Sequence, residues 1–498
     1  MFSKLLQFIR QVWRRMFPFR DVAAVEHIDT PLSEDMVNAL DLWYKMYTDD
    51  APWLVPGRVK SLNLPSLISS EIARQILLEV KWNISGTVDA EGNDTESPRA
   101  EYLKQEFEKL MRVLRTKLEQ GCASGGMTIK PYPKDGHIYF DCSTAWSLYP
   151  IAFDDDGNLK DVIFRDVFQD GKTTYSRLER HTLTPEGVHI TQRAFKSQNR
   201  DSIGIEIPLT EVPQWAEVEP ESLLTETEGQ MFGWFKVAAA NNVDIDAPLG
   251  VAVFHKAAKL IKEADIQYSR ILWEYEGSEL AIDVDPAILR PQKGTNGLME
   301  MPKLNERLFR GVDLGTDDTY HVFSPQIRDT SLFAGLNQLL IRIEDACGLA
   351  RGTLSDANVE ARTATELRIV RQRTYATIAD NQRMLEACLR DVVRAMDKYA
   401  SIYHLAPEGE YDLSFEWDDS IITDSSQQLG ERLELLSQGL MGKVEFRQWY
   451  FGETEAQAKA AIAKAQEETL SQAVDTLLAT QAAQNGTETA PESPPDVQ

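Results

Sequence analysis

The sequence predicts an α+β protein, and three features of the chain predict it. Between residues 30 and 120 apolar side chains recur at helical spacing, as in Leu64, Ile68, Ile72, Ile76 and Val80, which puts them on one face that must be covered. From about 127 to 235 the pattern turns to short alternating runs, HIYFDC, DVIFRDVF, TTYSRLERHTLT and GVHITQRAF, with turn signals at Asp156-Gly157 and Asp170-Gly171. Two long stretches, Val251 to Glu276 and Ala361 to Ala400, then hold neither glycine nor proline, as long helices require.

Taken in order, helices are expected over 33–48, 64–80 and 98–119, separated by the Pro- and Gly-containing stretches 51–57 and 86–97. The DDDGN run at 154–158 reads as a hairpin turn. As a calcium loop it would place Ala152 at the first ligand position and Ile163 at the twelfth. A helix over 249–276 follows, with Phe254, Ala257, Ile261, Ala264, Tyr268, Ile271 and Tyr275 at the three-and-four spacing of a seam between helices. An irregular segment, 277–328, contains two strand-like runs, ELAIDV and TYHVF, and a mixed-charge patch with Lys303, Glu306, Arg307 and Arg310. A helix over 329–348 comes next, then a loop, 349–361, then a helix over 362–400. At 1.5 Å per residue that last helix is about 60 Å long, with Leu367, Val370, Ile378, Leu385, Leu389, Val392 and Met396 as its buried stripe. The run DLSFEWDD reads as a strand, and helices near 424–440, 443–450 and 453–480 end the fold. Residues 482–498 have the Pro, Glu, Thr and Asn content of a disordered tail.

Composition narrows the function. The chain has 498 residues, enough for more than one compact unit. Its four cysteines, Cys122, Cys142, Cys347 and Cys388, lie far apart without the spacing of a zinc site or a disulfide framework, and read as reduced thiols. No stretch approaches the length of apolar sequence that spans a bilayer. The sequence GCASGGMT at 121–128 lacks the lysine of a phosphate loop, no GxSxG or HExxH occurs, and the seven histidines are scattered. Neither a catalytic residue nor a metal or cofactor is therefore expected. The formal charge is −26, which suits solubility and at first sight counts against a nucleic-acid role, since phosphate affinity comes from clustered Lys and Arg.

The first twenty residues stand apart. Phe2, Leu5, Ile9, Trp13 and Met16 share a helical face, with Lys4, Arg10, Arg14 and Arg15 around it and Pro18 ending the run. A helix that docks or packs on protein is the first reading of this pattern, with a helix on a membrane surface and a disordered segment as the alternatives.

Four blocks carry a family resemblance: SLNLPSLISSEIARQILLEV at 61–80, FGWFKVAAANNVDIDAPLG at 232–250 with the helix behind it, GLARGTLSDANVEARTATELRIV at 348–370, and FEWDDSIITDSSQQLGERLELL at 415–436. In this order they resemble the portal proteins of tailed bacteriophages, in the SPP1-like branch. The resemblance implies a portal fold. Its wing, helical and then β-rich, would be 21–248, with a strand returning at 401–422. A two-helix stem would be 249–276 and 329–348, bracketing a small α/β clip at 277–328. A tunnel loop at 349–361, a long kinked helix at 362–400 and a helical crown at 423–481 would complete the subunit.

By position, the resemblance makes Arg351, Ser355, Asp356, Asn358 and Glu360 the residues of the DNA-channel loop, with Arg351 the phosphate contact. It places docking of the terminase and of connector proteins on Lys303, Glu306, Arg307 and Arg310, and makes Phe254, Ala257, Ile261, Ala264, Tyr268, Ile271 and Tyr275 the stem packing. It implies a homo-oligomeric ring of about a dozen copies, closed by cyclic symmetry, at one capsid vertex of the virion, assembled in the host cytoplasm. The implied partners are the terminase large subunit, major capsid and scaffolding proteins, head-tail connector proteins and double-stranded DNA read without sequence preference, with no membrane. Two other readings stay open from sequence: a carboxylate or metal-dependent hydrolase, and a capsid scaffold or adaptor that encloses no channel.

Overall fold

In the computed structural model of the chain the described residues are 22, 25–26, 32–78, 80–86, 97–198, 202–284, 292–293, 299–300, 309–311, 320–356, 364–417, 425–451, 458–459 and 461–464. The chain divides into two units, Met1–Asp418 and Asp419–Gln498.

The first unit is mixed α and β. Helix α1, Glu34–Tyr47, begins where the Ser33 hydroxyl accepts the Met36 N–H at 3.2 Å, and it buries Met36, Leu40, Trp43 and Met46. Helix α2, Leu64–Ile76, carries Leu64, Ile68, Ile72 and Ile76 on its buried face. It stops four residues short of the expected end, because strand β1, Lys81–Ser85, is recruited by the distant strand Asp412–Glu416 in an antiparallel pair. Helix α3, Pro98–Ser124, outlasts its expected end at 119, and the buried stripe continues through Leu118 and Cys122 to a stop at left-handed Gly125.

Strands β2, Gly126–Lys134, and β3, His137–Thr144, form a three-stranded antiparallel sheet with β10, Gly233–Lys236, in the order β10-β2-β3. The larger sheet is a meander of β4 (Leu148–Phe153), β5 (Leu159–Asp170), β6 (Thr173–Thr184), β7 (Gly187–Ser197) and β8 (Ile205–Ile207), with β9 (Glu221–Thr225) also paired to β7. The 154–158 segment is the hairpin turn expected: Asp154 accepts the N–H groups of Asp156 at 3.0 Å and Asn158 at 2.7 Å.

Helix α4 is Ala258–Gly277, preceded by a 3-10 turn at His255–Ala257. This corrects the expected start at 249. Residues 249–254 are instead threaded past the end of α3, where Val253 N–H donates to the Cys122 carbonyl and a Cβ on Gly250 would lie 2.0 Å from the Gly125 oxygen. That approach requires glycine. Phe254 and Ala257 are fully buried but precede the helix.

Strand β11, Ala281–Val284, pairs in parallel with β14 (Phe309–Gly311) and antiparallel with β15 (Tyr320–Phe323), and β12 (Gln292–Lys293) pairs with β13 (Met299–Glu300). Helix α5 is Asp329–Cys347 and α6 is Ala364–Ile402. Ile378, Leu385, Leu389, Val392 and Met396 of α6 are buried; the side chains of Leu367 and Val370 lie outside the description. Gly233 lets β10 lie on α6, since a Cβ there would be 2.1 Å from the Cys388 oxygen. Strand β16, Asp412–Glu416, closes the unit against β1.

In the second unit, α7 is Ser425–Ser437 and α8 is Lys443–Phe451, with the Arg432 guanidinium 4.3 Å from the Trp449 ring centroid. The helix expected over 453–480 falls largely outside the described residues, as do the basic N-terminal helix and the tail from 482.

Candidate functional site

Helices α4 and α5 form an antiparallel hairpin around the 278–328 segment. Near its tip Arg328, just before α5, makes a two-bond contact with Glu274 of α4, at 3.0 and 2.8 Å. Ile261, Ala264 and Ile271 of α4 share a core with Leu336, Ile343 and Cys347 of α5, and Tyr268 packs against it. Tyr275, the last residue of the expected seam, is exposed within the subunit. Trp273 is 68% exposed and Phe333 of α5 is 47% exposed, so the hairpin offers large apolar side chains on surfaces that the subunit itself does not cover.

A buried carboxylate anchors each helix of this hairpin. Asp265 of α4, 3% exposed, accepts the Trp53 indole N–H at 2.9 Å and the Leu62 backbone N–H at 2.8 Å. Burial pushes its carboxyl above the usual range, and the two donors oppose that push. Glu344 of α5, 0% exposed, receives the chain that follows the helix: the N–H groups of Gly352 at 3.1 Å, of Leu354 at 2.5 Å and of Ser355 at 2.8 Å, and the Ser355 hydroxyl at 2.8 Å. Both acids sit beside apolar stripes, Ile261-Ala264-Tyr268 and Leu336-Ile343-Cys347. A carboxylate on a covered helix face must find donors, and that was the signal available in the sequence for two residues it had not singled out.

The loop residues singled out from sequence divide accordingly. Arg351 is 55% exposed and makes a two-bond pair with Asp345, at 2.9 and 3.3 Å. Ser355 is buried, spending its hydroxyl on Glu344, while exposed Asp356 donates its backbone N–H to the Asn337 side-chain oxygen at 2.8 Å. Asn358 and Glu360 lie outside the described residues. In the 278–328 segment Arg310 pairs with Asp283 at 2.8 Å and its guanidinium lies 4.6 Å from the centroid of the Phe323 ring; Lys303, Glu306 and Arg307 lie outside the described residues.

Asn241, in the NNVDID run, shapes the chain ahead of the hairpin. Its side-chain oxygen accepts the N–H groups of Val243 and Asp244, each at 3.0 Å, and its amide donates to the Leu249 carbonyl at 3.2 Å. Among the described residues no group of three His, Cys, Asp or Glu side chains is placed to hold a metal ion, and no helix is long and apolar enough to cross a membrane. The four cysteines form no disulfide.

None of the curated proteins compared with the chain matches it. The family model described as "Phage portal protein, SPP1 Gp6-like" matches residues 61–472. With most of its length inside that match, including every element from α2 to α8, the chain belongs to the SPP1 Gp6-like family of phage portal proteins.

Proposed function

We propose that this chain closes head to tail into a ring of about a dozen copies and forms the channel through which double-stranded DNA is packaged, held and ejected at one capsid vertex. The observation that carries this reading is the α4–α5 hairpin, whose Trp273 and Phe333 are left exposed by their own subunit. Neighbouring hairpins in a ring would cover such side chains, each worth about 1.5–3 kcal/mol on full burial. In this reading α4 and α5 are the stem, and the 278–328 segment is the clip that meets the terminase and connector proteins, through Arg310 with Lys303, Glu306 and Arg307. Capsid and scaffolding proteins meet the ring as the procapsid is nucleated in the host cytoplasm.

The loop after α5 would face DNA. Arg351 is its basic residue, partly neutralised by Asp345, and Asp356 adds negative charge. With a net charge of −26 per chain, such a channel touches phosphates weakly, and phosphate contacts carry no sequence information. The protein performs no chemistry in this scheme; force comes from ATP hydrolysis by the terminase. The test is the native mass of the purified chain together with averaged electron micrographs. Rings with an open channel of duplex width are expected, and a compact dimer without a channel would overturn the reading.

A further inference from the structure

The loop that follows α5 is fastened to α5 itself. Gly348 ends the helix in the left-handed region, with φ 72°, and a Cβ there would lie 2.4 Å from the Thr377 hydroxyl of α6. The chain therefore turns back sharply, at a point where only glycine fits. Four residues later three backbone N–H groups, of Gly352, Leu354 and Ser355, and the Ser355 hydroxyl converge on the single carboxylate of Glu344. Thr353 closes the turn from within by donating its hydroxyl to the Ala350 carbonyl at 2.6 Å.

A second fastening lies further along. The Asp356 N–H reaches the side chain of Asn337, seven positions before Glu344 on the same helix, which is about 10 Å along the axis at 1.5 Å per residue. Residues 352–356 thus run back beside α5, held at both ends by side chains of that one helix. A loop tethered at one point can pivot; one tethered at two points along a helix moves with it.

We propose that Glu344 is a positioning residue which, with Asn337, makes residues 349–356 a rigid extension of α5, so that a shift of the stem is delivered to the channel loop and not absorbed by it. The functional half of this statement rests on the reading of that loop as the part facing DNA; the mechanical half does not. Glu344 touches no substrate in this scheme. It acts through the backbone of the loop, and its full burial separates it from the exposed Arg351 that would meet phosphate.

Hydrogen exchange of the full chain tests the latch directly. Glu344→Leu keeps an apolar fit but offers no acceptor, and it should speed exchange at the amides of Leu354 and Ser355 by about tenfold or more, tenfold being about 1.4 kcal/mol, while amides in α4 and in α5 before Asn337 stay protected. Glu344→Gln retains an acceptor oxygen and should restore most of the protection. Should Glu344→Leu fail to fold, Asn337→Ala provides the second reading, with faster exchange confined to Asp356. Unchanged exchange at 352–356, equal loosening along all of α4 and α5, or a Gln variant no better than Leu would each overturn the proposal. Packaging by the same variants separates the two ideas. Freed amides with normal packaging would remove the loop from the DNA path and leave the latch standing, whereas unchanged amides refute the latch whatever packaging does.

Discussion

The Trp53 indole N–H lies 2.9 Å from Oδ2 of Asp265, and this bond ties the loop after α1 to the middle of α4, more than two hundred residues later in the chain. The Leu62 N–H occupies the other carboxylate oxygen at 2.8 Å. Asp265→Ala would leave both donors without their acceptor, at about 1–3 kcal/mol for each orphaned group. Urea unfolding should therefore show a loss of a few kcal/mol for Asp265→Ala and a smaller loss for Trp53→Phe. Because the two side chains share one bond, the double variant should fall short of the sum by about 1 kcal/mol. Strict additivity would show that the contact carries no energy of its own.

Trp273 and Phe333 are the most direct test of assembly. Replacing both by Ser removes apolar surface that the isolated subunit already exposes, so the unfolding midpoint of the subunit should move little. The fraction of rings at a fixed protein concentration should fall several-fold by native mass. Rings in undiminished yield would place the subunit interface elsewhere.

Acid sensitivity is predicted in the β-sheet layer. Lys130 of β2 reaches Glu179 of β6 at 2.6 Å, and His181 Nε2 is 2.7 Å from the same carboxylate oxygen, with the rings of Phe164 and Phe232 packed around it. Burial outweighs the carboxylate and pulls His181 below its ordinary value near 6.5. Burial works the other way on Glu179, but Lys130, His181 and Arg177 together hold it well below the carboxylate range. Groups with depressed folded-state values contribute stability that is present above their unfolded values and lost as pH falls through the folded ones. Stability should thus decline as pH falls through the ordinary histidine value near 6.5, and His181→Gln should flatten that decline. Asp265, whose value is raised, acts in the opposite sense but is common to both proteins and cancels. Parallel curves for the two would exclude His181 as the source.

Arg351→Glu would set a third acid beside Asp345 and Glu344 at the start of the loop while leaving the Glu344 latch intact. Ring mass should be unchanged and packaged DNA reduced several-fold, as read by nuclease-protected DNA per particle. Full packaging would refute the assignment of this loop to the DNA path.

Much of the fold could be read from local pattern. The stripes of α2 and α6 and the 154–158 turn need only neighbours in sequence, so their positions follow from periodicity and turn chemistry. The family blocks were equally local, and the family match spans them. Boundaries failed where partners came from afar. Helix α2 ends early because β16 claims β1, and α4 begins late because Gly250 must pass within contact of Gly125. Tyr275 continues the three-and-four spacing of the seam and is 39% exposed within the single subunit.

By itself the sequence determined the α+β class, the order of the elements and the family, because hydrophobic period, turn residues and motif blocks are properties of short segments. Only the tertiary structure decided what the polar residues do. Ser355, placed by position among DNA-facing residues, is spent on Glu344; Arg351 is paired with Asp345; and Asp265 and Glu344, unremarkable in the sequence, anchor the two helices of the hairpin. A carboxylate on a helix announces that it needs donors, but which backbone amides supply them depends on how distant segments meet in space, and no local pattern encodes that meeting.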